Sequence, residues 1–271
     1  MQRIYSVARG RGPAVILVHG WAASHRDWDG VRPHLVQCGY RVYALDLLGH
    51  GRSEKPGDAD TCRLGQIYTA FCQWVDSLAL VHPFALVGHS MGGYVSLRYA
   101  VENPARVTAL GLVDPLYAPE QLTLPARQIL QNPALLEKIL RHVPQRLPSA
   151  LTGIVPAAAQ DAVRDYGRAS PYIAYALAEI PSLENMLNRI SQPTMLLYGS
   201  ADLSLRPSSF QKLQKRLPAL ADCFCIPGAG HTPHITHTDL INGRLVNFLN
   251  RFAKKPATFE AWGPNRMALD F

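Results

Sequence analysis

No stretch of this chain approaches the roughly 20 consecutive apolar residues that a membrane-spanning helix requires, and Met1-Gln2-Arg3-Ile4-Tyr5 lacks the apolar segment of a secretory signal. A cytoplasmic protein without a membrane span is the expectation. Paired cysteines are missing too. Cys38, Cys62, Cys72, Cys223 and Cys225 form an odd, scattered set with no Cys-x-x-Cys spacing, which argues against a disulfide framework. Cys223 and Cys225 alternate with Phe224 in a strand-like run, so both point to one face and a bridge between them is unfavourable. Charge is sparse: 17% of residues are charged against 48% apolar, too little charge for a disordered chain and enough apolar surface for a large core. The formal charge of +7 raises the question of a nucleic-acid partner, but the basic residues are spread from Arg3 to Arg266 without a dense block or a nucleic-acid-binding motif. No nucleic acid is expected. Internal repeats and low-complexity segments are absent as well.

What is present is alternation. Short apolar, β-branched runs at Ala14 to Val18, Arg41 to Leu45, Phe84 to Val87, Val107 to Val113, Thr194 to Tyr198 and Cys223 to Ile226 are separated by helical patterns. Helices are expected over about Arg26 to Cys38, Leu64 to Leu80, Met91 to Glu102, Pro207 to Leu217 and Asp239 to Phe252. Such a chain reads as βαβ units around a mostly parallel sheet flanked by helices, an α/β fold. The rhythm breaks once. Residues 115–189 contain no convincing strand, and prolines divide them into short helical pieces such as Pro133 to His142 and Ala157 to Gly167. A core of 1–114 and 190–271 with an inserted helical cap at 115–189 is therefore expected, within a length that one α/β domain can hold. The tail after Phe252 shows no period.

Gly88-His89-Ser90-Met91-Gly92 follows the run Phe84 to Val87 directly and precedes a helical segment that Asn103-Pro104 stops. A serine on a sharp strand-to-helix turn needs small neighbours two residues either side, and Gly88 and Gly92 supply that room. A serine hydroxyl is a weak nucleophile at neutral pH, so Ser90 requires a base and an acid to orient that base. His231 has the best setting for the base. It follows a strand through Pro227-Gly228-Ala229-Gly230, at the kind of carboxyl end where open α/β sheets gather their functional groups. His234 and His237 complete a His-x-x-His-x-x-His spacing, but no carboxylate or cysteine completes a ligand set there, so no metal is expected. For the acid, Asp202 and Asp114 both lie just beyond strand ends, and the residues alone leave both open. Asp46 is expected to fix the following glycine turn by local hydrogen bonds. An oxyanion would be met by the backbone N–H of Met91 and by that of Trp21, with Gly20 permitting an unusual backbone conformation.

Taken together, His19-Gly20-Trp21, Asp46-x-x-Gly49-x-Gly51-x-Ser53, Gly88-x-Ser90-x-Gly92-Gly93, Gly199-x-x-Asp202 and Gly228-x-Gly230-His231 resemble the α/β-hydrolase superfamily, in its capped serine esterase and lipase branch. The resemblance spans nearly the whole core and leaves the cap and tail unmatched. It implies a triad of Ser90, His231 and Asp202, favouring Asp202 over Asp114, with Trp21 and Met91 at the oxyanion hole and no cofactor. It also implies a seven-stranded sheet instead of the usual eight, since only Arg3 to Val7 precedes the Gly10-Arg11-Gly12-Pro13 turn. No acidic residue stands just after His231, where relatives often carry one.

The serine at position 90 sets aside the dehalogenase-like and epoxide-hydrolase-like branches, which use aspartate there. His89 stands where the carbon–carbon hydrolases of the fold often carry asparagine. Hydrolysis of small-molecule carboxylic esters is the leading expectation. Two alternatives stand beside it: a methyl ester esterase similar to those acting on pimeloyl chains tethered to an acidic acyl carrier protein, and a weakly catalytic ligand receptor. The carrier reading draws on Lys138 with Arg141 and Arg164 with Arg168, at helical neighbour spacings, but Glu137, Asp161 and Asp165 in the same region favour ordinary ion pairing.

Overall fold

The structure, a computed structural model, describes residues 2–144 and 164–253. Seven strands, β1 (Ser6–Arg9), β2 (Ala14–Val18), β3 (Arg41–Leu45), β4 (Phe84–His89), β5 (Val107–Val113), β6 (Thr194–Gly199) and β7 (Leu220–Ile226), form one sheet in the order β1-β3-β2-β4-β5-β6-β7. Only β1 runs antiparallel, against β3. All other pairings are parallel. The protein has the α/β-hydrolase fold, with the seven strands that the short N-terminal segment implied. The first strand lies slightly later than Arg3 to Val7, running directly into the turn at Gly10.

The central strands are covered because helices lie on both faces, and β4 is buried at every position, while the edge strands β1 and β7 are only partly buried. The period of two sorts β2 between two cores. Ile16 and Val18 pack with Phe71, Tyr94 and Phe210, from α2 (Leu64–Ser77), α3 (Met91–Glu102) and α6 (Pro207–Arg216). Val15 and Leu17 pack on the opposite face with Leu35 and Phe248, from α1 (Arg32–Gln37) and α8 (Thr238–Phe252). The helix expected over Arg26 to Cys38 is in fact two elements. A 3-10 turn at His25–Trp28, capped by the Ser24 hydroxyl, is followed after Gly30 by α1, which starts where Pro33 needs no backbone donor.

Between β5 and β6 the described residues form short helices only: α4 (Leu124–Leu130), α5 (Pro133–His142), a helical turn at 164–168 and 3-10 segments at Pro119–Gln121, Pro171–Tyr175 and Glu184–Arg189. Thr123 and Asn132 cap α4 and α5 with their side chains. Most of the helix expected over Ala157 to Gly167, and the tail from 254 onward, lie outside the described residues. Among the described residues no helix is long and apolar enough to cross a membrane.

The position of α3 depends on missing side chains. A Cβ on Gly92 would collide with the backbone carbonyls of Val18 and His19, and one on Gly88 would collide with the Gly92 carbonyl. Gly92→Ala is therefore expected to cost about 1–3 kcal/mol by overpacking. Urea unfolding checks this: the midpoint should fall at unchanged slope, and an unchanged midpoint would sink the steric argument.

Candidate active site

The turn from β4 into α3 holds Ser90 at φ 50°, a left-handed conformation that a residue with a side chain adopts only at a cost. The surroundings hold it there. Ser90 donates its backbone N–H to Val113 O at 3.1 Å, and its carbonyl accepts from Tyr94 N and Leu116 N at 3.2 and 3.0 Å. Its Oγ then lies 2.9 Å from Nε2 of His231, whose Nδ1 lies 2.7 Å from Oδ2 of Asp202. Because an ionised carboxylate only accepts, Nδ1 of His231 carries the proton, and Nε2 presents its lone pair to the serine hydroxyl.

The two strand-end carboxylates have opposite environments. Asp202 is 4% exposed. Burial pushes its pKa up, but the His231 hydrogen bond, together with the N–H groups of Leu205 and Ser204, outweighs that and brings it below the usual carboxylate range. Asp114 is wholly buried at φ 40°, and one oxygen accepts the Gly199 N–H at 2.9 Å. Burial first, and then the neighbouring Asp202, raise its pKa well above the ordinary value. Asp114 thus ties the ends of β5 and β6, while Asp202, with its lowered pKa, is the partner of His231.

Trp21 and Met91 stand where the sequence places them, after β2 and at the start of α3. Gly20 plays a different part from the one expected. It has no positive φ; the unusual backbone falls on Ala22 at φ 58°, and Gly20 is needed because a Cβ there would come within 2.8 Å of His89 Nδ1 and 3.2 Å of Ser90 Cβ. Trp21 is fixed by its indole N–H, which donates to Ile173 O at 2.8 Å.

Three neighbours of the site escaped the sequence reading. His89 donates from Nε2 to the carbonyl of His231 at 2.7 Å and so fixes the loop that carries it. Burial, and then the neighbouring His234 and His231, hold the His89 pKa well below the ordinary value, so the ring stays neutral. His19 accepts the Leu47 N–H on Nε2 at 2.9 Å and donates from Nδ1 to Gly20 O at 2.7 Å, joining the ends of β2 and β3. His234 is buried, with its ring 4.3 Å from that of His89 and 4.7 Å from that of Trp28. The only available signal for them was their place beside strand ends. His231, His234 and His237 do not come together. Among the described residues the groups of three potential metal ligands are Asp27, His89 and His234, and Asp114, Asp202 and His231.

A cavity of about 590 Å³ opens beside Ser90 and His231, lined by residues 21–30 on one side and by Leu116, Leu122, Ala126, Ile129 and Leu130 on the other. The chain belongs to the alpha/beta hydrolase fold family, whose family model matches residues 13–169. It is similar to the pimeloyl-[acyl-carrier protein] methyl ester esterase of Nitrosomonas europaea, 27% identical over 261 residues that cover 87% of this chain and 95% of that protein. The corresponding protein of Nitrosospira multiformis is 24% identical, covering 90% of this chain and 97% of its own. Among solved structures, a thermophilic esterase from Thermogutta terrifontis superposes with a TM-score of 0.77 at 24% identity, covering 93% of this chain and 95% of that one, a likeness of fold.

Asp46, expected as a turn-fixing residue, does this on two sides. Its carboxylate accepts from His25 N and Nδ1 at 2.6 and 2.7 Å and from Arg52 N at 2.7 Å. Burial works to raise its pKa, but the hydrogen bonds from the ring and backbone of His25, with the nearby imidazole of His19, bring it down from 3.8 to about 2. A group depressed on folding contributes its stability above the unfolded value and loses it as pH falls through the folded one. The stability advantage of the wild type over Asp46→Asn, measured by urea unfolding, should therefore shrink as pH drops from about 4 to about 2; a gap that does not narrow would refute the assignment.

Proposed function

We propose that the chain is a serine hydrolase that cleaves carboxylic esters of small molecules through an acyl-enzyme. The observation that carries this reading is the unbroken hydrogen-bonded chain from Asp202 through His231 to Ser90, at the wall of a cavity large enough for a small ester. In this mechanism Ser90 Oγ attacks the carbonyl carbon as its proton passes to His231 Nε2. Asp202 holds the imidazole in its tautomer and stabilises the imidazolium. The backbone N–H groups of Met91 and Trp21 receive the oxyanion. Collapse expels the alcohol, which takes its proton from His231, and a water activated by the same imidazole then releases the acid. Every step uses this chain's own groups.

Residues 115–189 act in this reading as a cap over a core of 1–114 and 190–271. Support comes from Leu116, Leu122, Ala126, Ile129, Leu130 and Leu177, which line the cavity from that segment. The second reading, a methyl ester esterase for carrier-tethered substrates, is supported by the similarity to the Nitrosomonas and Nitrosospira proteins. Against the basic carrier patch, Arg141 is engaged with Glu137 at 2.6 Å on its own helix.

Short p-nitrophenyl esters should be hydrolysed by the wild type, and Ser90→Ala should lose roughly 10⁴- to 10⁶-fold in kcat. A fluorophosphonate should add to Ser90 in the wild type, visible by mass spectrometry, and not to the variant. Equal rates in both proteins, or no adduct, would overturn the serine mechanism.

A further inference from the structure

The cavity beside Ser90 has two chemically different ends. One is apolar and continuous with the main core through Leu116, Leu122, Leu177 and Leu205. The other is built from Trp21, Arg26, Asp27, Asp165, Tyr166 and the loop after His231, and it is polar. Asp165 is 4% exposed, with Oδ2 accepting from the Ser24 hydroxyl at 2.9 Å. Asp27 Oδ2 stands 3.8 Å from Nε2 of His234. The His234 side chain is fully buried, and neither of its ring nitrogens has a hydrogen-bond partner; Nδ1 of His89 beside it is also unpartnered. Trp21 and Tyr166 meet edge to face at 5.8 Å and add aromatic surface to the same end.

The charged groups lining this end are Asp27, Asp29 and Asp165 against Arg26. Asp29 is already paired with Arg32 at 2.8 Å, so among the lining residues Asp27 and Asp165 face Arg26, while Arg164, outside the lining, also acts on Asp165. Buried imidazole nitrogens without partners are costly, and carboxylates beside aromatic rings suit a cation that can donate hydrogen bonds. The direction of the substrate follows from the proton path. His231 protonates the departing alcohol, and His231, Thr232 and His234 all border the polar end, so the alcohol half of the ester points there and the acyl chain points to the leucines.

We propose that this polar end is a cation subsite that holds a protonated amine on the alcohol half of an ester, between the carboxylates of Asp27 and Asp165 and the rings of Trp21 and Tyr166. The proposal rests on the ester-hydrolysis reading and narrows its substrate class to esters of amino alcohols. It also predicts poor acceptance of anionic alcohol groups at this end, where the carboxylates repel them.

The experiment compares kcat/KM for 2-(dimethylamino)ethyl butyrate and its carbon isostere 3-methylbutyl butyrate at neutral pH, by titration of the released acid. The wild type should favour the charged ester by about tenfold or more, the size of one hydrogen bond to a charged group. Asp27→Asn and Asp165→Asn should each pull that ratio several-fold towards one. Should Asp165→Asn fail to fold, Asp27→Asn gives the same readout, because Asp27 does not hold Ser24. A wild-type ratio at or below one, or a ratio unmoved in the folded variants, overturns the subsite. Hydrolysis of p-nitrophenyl butyrate with no preference between the two esters sinks the subsite alone; no hydrolysis of any ester and no labelling of Ser90 sinks the underlying reading.

Discussion

The close approach of α3 to the carboxyl ends of β2 and β4 is the constraint on which the site depends. Gly92 lies directly against the carbonyls of Val18 and His19, Gly88 against the carbonyl of Gly92, and Gly20 against His89 and Ser90. None of these contacts leaves room for a methyl group. The same crowding keeps Ser90 in a left-handed conformation, because its N–H and carbonyl are fixed by Val113, Tyr94 and Leu116 on three sides. Strain of this kind persists only where the surroundings over-determine it. Here it turns the hydroxyl out of the sheet and towards the loop that carries His231.

That loop is positioned from beneath as well as from the side. Asp202 orients the imidazole of His231, while His89, one residue before the serine, receives the carbonyl of His231 on its Nε2 proton. Ser90 and His231 are thus tied together through the backbone in addition to their own hydrogen bond. Asp114 and Asp202 are pushed in opposite directions. Deep burial and the proximity of Asp202 raise the pKa of Asp114, and three donors lower that of Asp202. Opposite shifts of this kind ease the repulsion between two neighbouring carboxyl groups.

Much of this was legible in the sequence, for physical reasons. The runs Ala14–Val18, Arg41–Leu45 and Val107–Val113 coincide with strands because parallel strands covered on both faces read as unbroken apolar stretches. The outer strands were harder to read. β7 begins at Leu220, earlier than Cys223, because its half-exposed edge admits Ala221 and Asp222 and breaks the apolar signal. Ser90, His231 and Asp202 could be picked out because each follows a strand end with glycine nearby. The choice between Asp202 and Asp114 could not be made from spacing, since it depends on which carboxyl is ionised, and that is set by burial. The patterns in which His89, His234 and Asp165 appear do not show that they meet at one cavity, and Asp27 left no local pattern at all. Ser24 and Asp165, which share a hydrogen bond, are 141 residues apart.

The loop after His231 serves two structural ends. His231 is held by Asp202 and Ser90, while Thr232, His234 and Thr238, within the next seven positions, form part of the cavity wall. In the proposed mechanism, a group on the alcohol side of a substrate meets the same short segment that protonates the alcohol as it leaves. Movement of α7 (Pro233–Thr236) would shift the base and the polar wall together, so the ring stack of His234 on Trp28 and His89 anchors both. The apolar end is independent of this segment. It comes from Leu116, which follows β5 directly, from the helices up to Leu177, and from Leu205 before α6. In the proposed mechanism, acyl preference can thus change through the β5–β6 segment without disturbing His231, whereas a change in alcohol preference has to be made on the element that holds it.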